Sequence, residues 1–139
     1  MIIYFDENMP KHLAEGFQII QFPESIKTGI KIEIKYLPEE FDYGMSDKDW
    51  LSLVGKQGNC VITQDINISR RKDELSLYKK YGVGIFFLKG TSKKHGMTIW
   101  SMTQALSKNW SNICEIAVQE NGPFGYEFSL NRSIKKLHI

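Results

Sequence analysis

Two cysteines, four prolines and three histidines are all that 139 residues contain of these types, and each scarcity removes a class of explanation. Cys60 lies inside an apolar strand-like run and Cys114 inside a helical pattern. Neither a disulfide framework nor a zinc site is built that way, and both are expected as buried reduced thiols. His12, His95 and His138 share no ligand-like spacing and receive no role. No apolar run approaches the length of a bilayer span. The N-terminus is strand-like and then acidic, without the cationic start and apolar centre of a signal peptide, which predicts a cytoplasmic protein with no membrane partner. Repeats, low-complexity stretches and linkers are also missing. So is a strong charge of one sign: the net charge is +2, too mild to establish nucleic-acid binding by itself.

What is present is an ordinary globular composition, 42% hydrophobic and 12% aromatic. It suits one domain over residues 1–139 with one core. Ile2 to Phe5 reads as a strand. Pro10 suits the first turn of a helix capped by Asn8 or Met9, with Leu13, Phe17 and Ile20 on its core face and Pro23 as its end. Lys31 to Tyr36 alternates charged and apolar residues, a strand with one face in water. A loop with Pro38, Asp42 and Gly44 leads to Ser46, the N-cap of a helix in which Asp49 completes a capping box and Gly58-Asn59 marks the stop.

Continuous apolar strands follow at Cys60–Thr63 and Val83–Leu88, separated by a polar helix over about 70–81. Such strands alternating with helices predict an α/β fold with a mostly parallel sheet covered on both faces. The longest helix runs over about 98–118, with Ile99, Met102, Leu106 and Trp110 on one face, a stripe read as core. After Asn121-Gly122-Pro123, strand-like segments over 126–130 and 134–139 predict a C-terminal β-hairpin. The first of these could present an exposed edge for a homodimer or pair internally.

Three carboxylates stand at element ends. Asp6 follows the first strand, Asp65 follows the strand ending at Thr63, and Asp47 opens the helix between them. The carboxyl ends of parallel strands share one edge, where α/β folds place their sites. Acids gathered there repel one another unless a cation neutralises them, which points to a divalent metal and phosphate chemistry. At 100° per residue Asp47 shares the face of Trp50, Leu51 and Val54, whereas Asp49 points towards solvent. Each acid also has a purely structural reading: Asp6 as a helix cap, Asp47 as a dipole-stabilising first-turn residue, Asp65 as a turn residue.

The runs Asp6-Glu7-Asn8-Met9-Pro10, Gly44-Met45-Ser46-Asp47 and Val61-Ile62-Thr63-Gln64-Asp65 together resemble the PIN-like domain family, in particular its small toxin-like, VapC-type branch. The resemblance covers about residues 1–90, the motif-bearing core; residues 91–139, the helix and strands of the C-terminal third, fall outside it. It implies a three-layer α/β/α fold and Mg²⁺- or Mn²⁺-dependent cleavage of RNA phosphodiesters, as the toxin of a pair whose cognate antitoxin covers the site. Asp6, Asp47 and Asp65 correspond to the metal-binding, catalytic acids. Glu7, Asn8, Thr63 and Asn67 are candidates to orient those ligands. Asn67 stands where a fourth acid often occurs, a departure that weighs against two-metal chemistry.

Arg70 and Arg71, just beyond Asp65, are candidate phosphate contacts. With Lys72, Lys79-Lys80 and Lys93-Lys94-His95 they form either solvated helix and loop surface or a positive rim for a polyanion. Two other readings compete. One is a catalytically degenerate member that binds RNA or a protein. The other is a receiver-like phosphoacceptor domain, with Asp6-Glu7, a later Asp and Lys89. It is disfavoured by Asp47 on a helix and by the lack of a regular βα repeat after Leu88.

Overall fold

The chain opens with apolar β-prone residues at Ile2–Phe5 (β1) and alternates strand and helix thereafter. A computed structural model describes residues 1–41, 45–65, 68–90 and 97–138, apart from the side chains at 65, 68–71 and 74. The order is β1, α1 (Lys11–Thr28), β2 (Glu33–Tyr36), α2 (Leu37–Glu40), α3 (Asp47–Lys56), β3 (Cys60–Asp65), α4 (Ile68–Tyr81), β4 (Gly84–Lys89), α5 (Ile99–Gln119), β5 (Phe124–Phe128) and β6 (Lys135–Lys136). The strands form one sheet in the order β2-β1-β3-β4-β5-β6, parallel throughout except for the β5–β6 hairpin.

Strand alternation divides the core into two layers. On one face Ile3, Phe5, Ile62, Phe86, Leu88 and Phe128 pack against Leu13 and Phe17 of α1 and Met102, Leu106 and Ile113 of α5. On the other, Tyr4, Val61, Ile85 and Phe87 pack against Leu51 and Val54 of α3 and Tyr78 of α4. The result is the expected three-layer α/β/α arrangement. The two outer helices of the first layer are tied by Trp110, whose indole N–H donates to Gln21 Oε1 at 2.9 Å. Sheet order and helix faces together give the β4–α5–β5 crossover the opposite hand from the three before it, against a strong general preference. Its gain is local: α5 brings a long apolar stripe beside α1, on a face of the sheet that α1 alone would leave largely open.

Several expectations change. Pro23 does not end α1; the helix runs on to Thr28 and stops at Gly29, whose φ of 74° suits a left-handed cap. No side chain caps its start, so the cap expected from Asn8 or Met9 is not made and Pro10 itself stands there. Ile20 is exposed, while Ala14 and Gln21 join Leu13 and Phe17 inside. Likewise Ile99 lies outside the inward face of α5, which continues instead through Ala105, Asn109 and Ala117. Short α2, with Pro38 in its first turn, occupies part of the expected loop; Asp42 and Gly44 lie outside the described residues.

Beyond Leu88 a further βα unit does exist, since α5 leads into β5 and β5 pairs in parallel with β4. The first strand of the C-terminal hairpin is thereby an interior strand with neighbours on both sides, and it offers no edge for a dimer. The ring of Phe124 lies where a Cβ at Gly84 would fall, so the absence of a side chain lets β5 close on β4. Both cysteines are free, Cys60 buried and Cys114 half-buried, and burial pushes the Cys114 thiol up to about 12 and Cys60 higher still. Among the described residues no helix is long and apolar enough to cross a membrane.

Candidate active site

In the order β2-β1-β3, the chain leaves β1 towards one side of the sheet and later returns to β3 on the other. The crevice between the carboxyl ends of β1 and β3 is therefore the topological switch point, the place where open α/β sheets bind ligands. Asp6 sits at its lip. It is 8% exposed, its backbone N–H donates to the Ile62 carbonyl at 3.2 Å, and its Oδ1 accepts from the Asn8 backbone N–H at 3.0 Å. Phe5 pairs with Ile62, so Thr63 stands at the next step across from Asp6. The pleat carries Tyr4, Asp6, Val61 and Thr63 to the α3 and α4 face.

Asp65 is the last residue of β3, not the first of a loop, and by alternation its position shares that face. From strand spacing and rise, positions 6 and 65 are about 8 Å apart along the backbone lattice. Thr63 is 1% exposed and its Oγ1 has no hydrogen-bond partner among the described residues. A buried hydroxyl without a partner costs roughly 1–3 kcal/mol; it is an oxygen held ready beside two acid positions.

Asp47 lies at the first turn of α3, where Ser46 Oγ accepts the Asp49 N–H at 3.3 Å as the capping pattern requires. The helix does put Asp47 on the side of Trp50, but its carboxylate is in solvent, where Oδ1 accepts the Trp50 indole N–H at 3.1 Å. Glu7 is exposed and Asn8 half-buried. Asn67 and His95 lie outside the described residues, as do the side chains of Asp65, Arg70 and Arg71. Among the described residues no group of three or more His, Cys, Asp and Glu could hold a metal, and the Asp65 carboxylate is not among them.

Two further charged residues belong to this edge. Lys89, the last residue of β4, is the register partner of Asp65, and its Nζ lies 3.5 Å from Glu127 of β5. Phe87 pairs with Glu127, so both charges alternate onto the face that carries Asp6 and Thr63. The parallel pairing of β5 with β4, which places Glu127 here, has no signature in the isolated strand pattern.

The donor set suits a hard cation: a buried carboxylate at the crevice, an unpaired buried hydroxyl beside it, and a second carboxylate position on the same edge and face. The family model described as PIN like domain matches residues 1–90, the segment that holds Asp6, Asp47 and Asp65. No curated protein and no solved structure matches the chain. A match over more than half of its length makes this chain a member of the PIN-like domain family.

Proposed function

We propose that the protein is a metal-dependent endoribonuclease acting as the toxin of a toxin–antitoxin pair. The observation that carries this reading is the meeting of Asp6, unpaired Thr63 and position 65 at the switch point of the sheet. Membership of a family of nuclease type supports it. Asp6 and Asp65, with Asp47 at the first turn of α3 as a further candidate once released from Trp50, would hold Mg²⁺ or Mn²⁺, which supplies Lewis acidity and an activated water.

The residues of the chain do the rest. The Asn8 N–H fixes the rotamer of Asp6, so the carboxylate enters the site already oriented. Thr63 Oγ1 offers a hydroxyl to a ligand or its water shell. Lys89, steadied by Glu127, and Arg70 and Arg71 at the start of α4 are the cations that would meet RNA phosphates.

The test is cleavage of a mixed RNA pool with Mn²⁺, Mg²⁺ or EDTA. Wild type is expected to cleave only with metal, and Asp6→Asn and Asp65→Asn to lose at least about a hundredfold in rate, the scale of removing one group that acts in the transition state. Growth arrest on expression, relieved by Asp6→Asn, would carry the toxin assignment. A second reading is a binding module with a degenerate site. It is favoured by the solvent-facing carboxylate of Asp47, already engaged by Trp50. Metal-independent RNA binding without cleavage by folded wild type would establish it instead.

A further inference from the structure

Helix α1 is apolar on two sides. Its inward face is fully used, with Leu13, Ala14, Phe17 and Gln21 buried against the sheet and α5. Its outer side repeats the chemistry of a core: Ile19, Phe22 and Ile26 recur at spacings of three and four and are 73%, 61% and 68% exposed. Ile20 and Ile30 extend the patch. From Gly16 to Ser25 the only charged residue is Glu24. A helix apolar all round belongs inside something larger. These five side chains leave on the order of 500 Å² of apolar surface in water, towards the upper limit for a monomer and often functional.

The neighbouring sheet edge limits what can dock. On β2 the outward backbone N–H of Ile34 donates to Gln18 Oε1 at 2.6 Å. Just before it, the N–H of Ile32 donates to Ser25 Oγ at 3.2 Å. Two side chains of α1 thus occupy the donors that an added strand would need, a common protection of sheet edges. The occupant must present side chains to the helix, not a backbone to the strand.

We propose that this face is an isologous dimer interface, in which α1 packs antiparallel against α1 of a second copy of the chain. The inference is independent of the nuclease reading. A two-fold axis requires a self-complementary patch, and the stripe has that form. Ile19 lies three residues before Phe22 and Ile26 three after Pro23, so an axis at Phe22-Pro23 sets Ile19 of each copy against Ile26 of the other.

Charge fixes the direction. Glu15 lies on the stripe at the N-terminal end, with contacts of 3.8 Å to Lys11 and His12. Lys27 lies in the last turn at the other end, and the exposed Lys31, whose Nζ also pairs with Glu33 at 3.0 Å, follows just beyond it. Antiparallel packing brings Glu15 of one copy to the C-terminal end of α1 of the other, where Lys27 and Lys31 lie, acid against base, whereas parallel packing would set like charges together. The area agrees: about 500 Å² of apolar surface is most of the roughly 800 Å² per partner of a standard interface, and the flanking grooves supply the remainder. Because α1 covers the sheet face opposite α3 and α4, the dimer leaves the acidic crevice open.

Sedimentation equilibrium across the micromolar range tests the proposal. Wild type should be dimeric, and Phe22→Glu and Ile19→Glu should each weaken the dimer by about 30-fold or more, with unchanged circular dichroism since both side chains point to water. Under mild oxidation the double variant Ile19→Cys/Ile26→Cys should cross-link between copies, and Ile19→Cys alone should not. A monomeric wild type, a dimer indifferent to both glutamates, or ready cross-linking of Ile19→Cys alone would overturn it.

Discussion

Thr63 shows what a single residue can report. A β-branched residue is at home in a central strand, but valine would serve there without a hydroxyl to desolvate. Its Oγ1 is buried beside Asp6 and has no partner among the described residues. Thr63→Val is therefore expected to raise stability by about 1 kcal/mol, because it removes an unsatisfied polar atom at nearly constant volume. Metal-dependent RNA cleavage should fall in the same variant. A urea midpoint that rises with an unchanged slope checks the first part; a lower midpoint would mean that the hydroxyl has a partner in the folded protein. Asp47 illustrates the complementary lesson. Helical geometry correctly set it on the side of Trp50, yet depth in the fold is not a property of one helix, and the carboxylate ends in solvent.

Among the elements, the C-terminal hairpin is fastened by one polar cluster. Beyond the end of α5, Glu120 accepts from the Tyr126 hydroxyl at 2.7 Å and from Lys136 Nζ at 3.0 Å, joining the helix to β5 and β6. Burial alone would raise the Glu120 carboxyl, but the tyrosine hydroxyl and the lysine outweigh it and hold it below the usual range. Its contribution to stability is present above the unfolded value and lost as pH falls through the lowered one. Tyr126 moves the other way: burial first, then its bond to Glu120, pushes it up to about 12 from 10.0. Its neutral form is the stabilised one, so its contribution is intact below pH 10 and lost as pH rises towards about 12. Tyr126→Phe should thus be less stable than wild type at neutral pH, with the difference closing over that alkaline interval. Denaturation midpoints at several pH values would show it; a constant difference would contradict the assignment.

Much of this level was readable in advance. Strands at β1, β3 and β4, the Ser46 cap and the helix after it follow from local apolar runs and capping chemistry, and they formed as expected. The failures share a cause. Pro23 lacks an amide donor, yet tertiary packing of Leu13, Phe17 and Gln21 carries α1 past it. Ile20 fits a helical repeat but falls on the unburied side. The placement of Glu127 beside Lys89 depends on β5 pairing with β4, a long-range choice that no local pattern encodes.

At the level of the whole molecule, the sheet order creates the crevice that carries the candidate site. Because β2 and β3 flank β1 on opposite sides, the carboxyl ends of β1 and β3 open a crevice, with Asp6 at its lip and position 65 at the end of β3. The central claim is that Asp6 and Asp65 share one divalent cation there. Titration of the purified protein with Mn²⁺, followed by the loss of the free-ion electron paramagnetic resonance signal, tests it without any substrate. The account predicts a bound Mn²⁺ in wild type that is lost in Asp6→Asn and again in Asp65→Asn. Equal Mn²⁺ binding by wild type and both variants would contradict it.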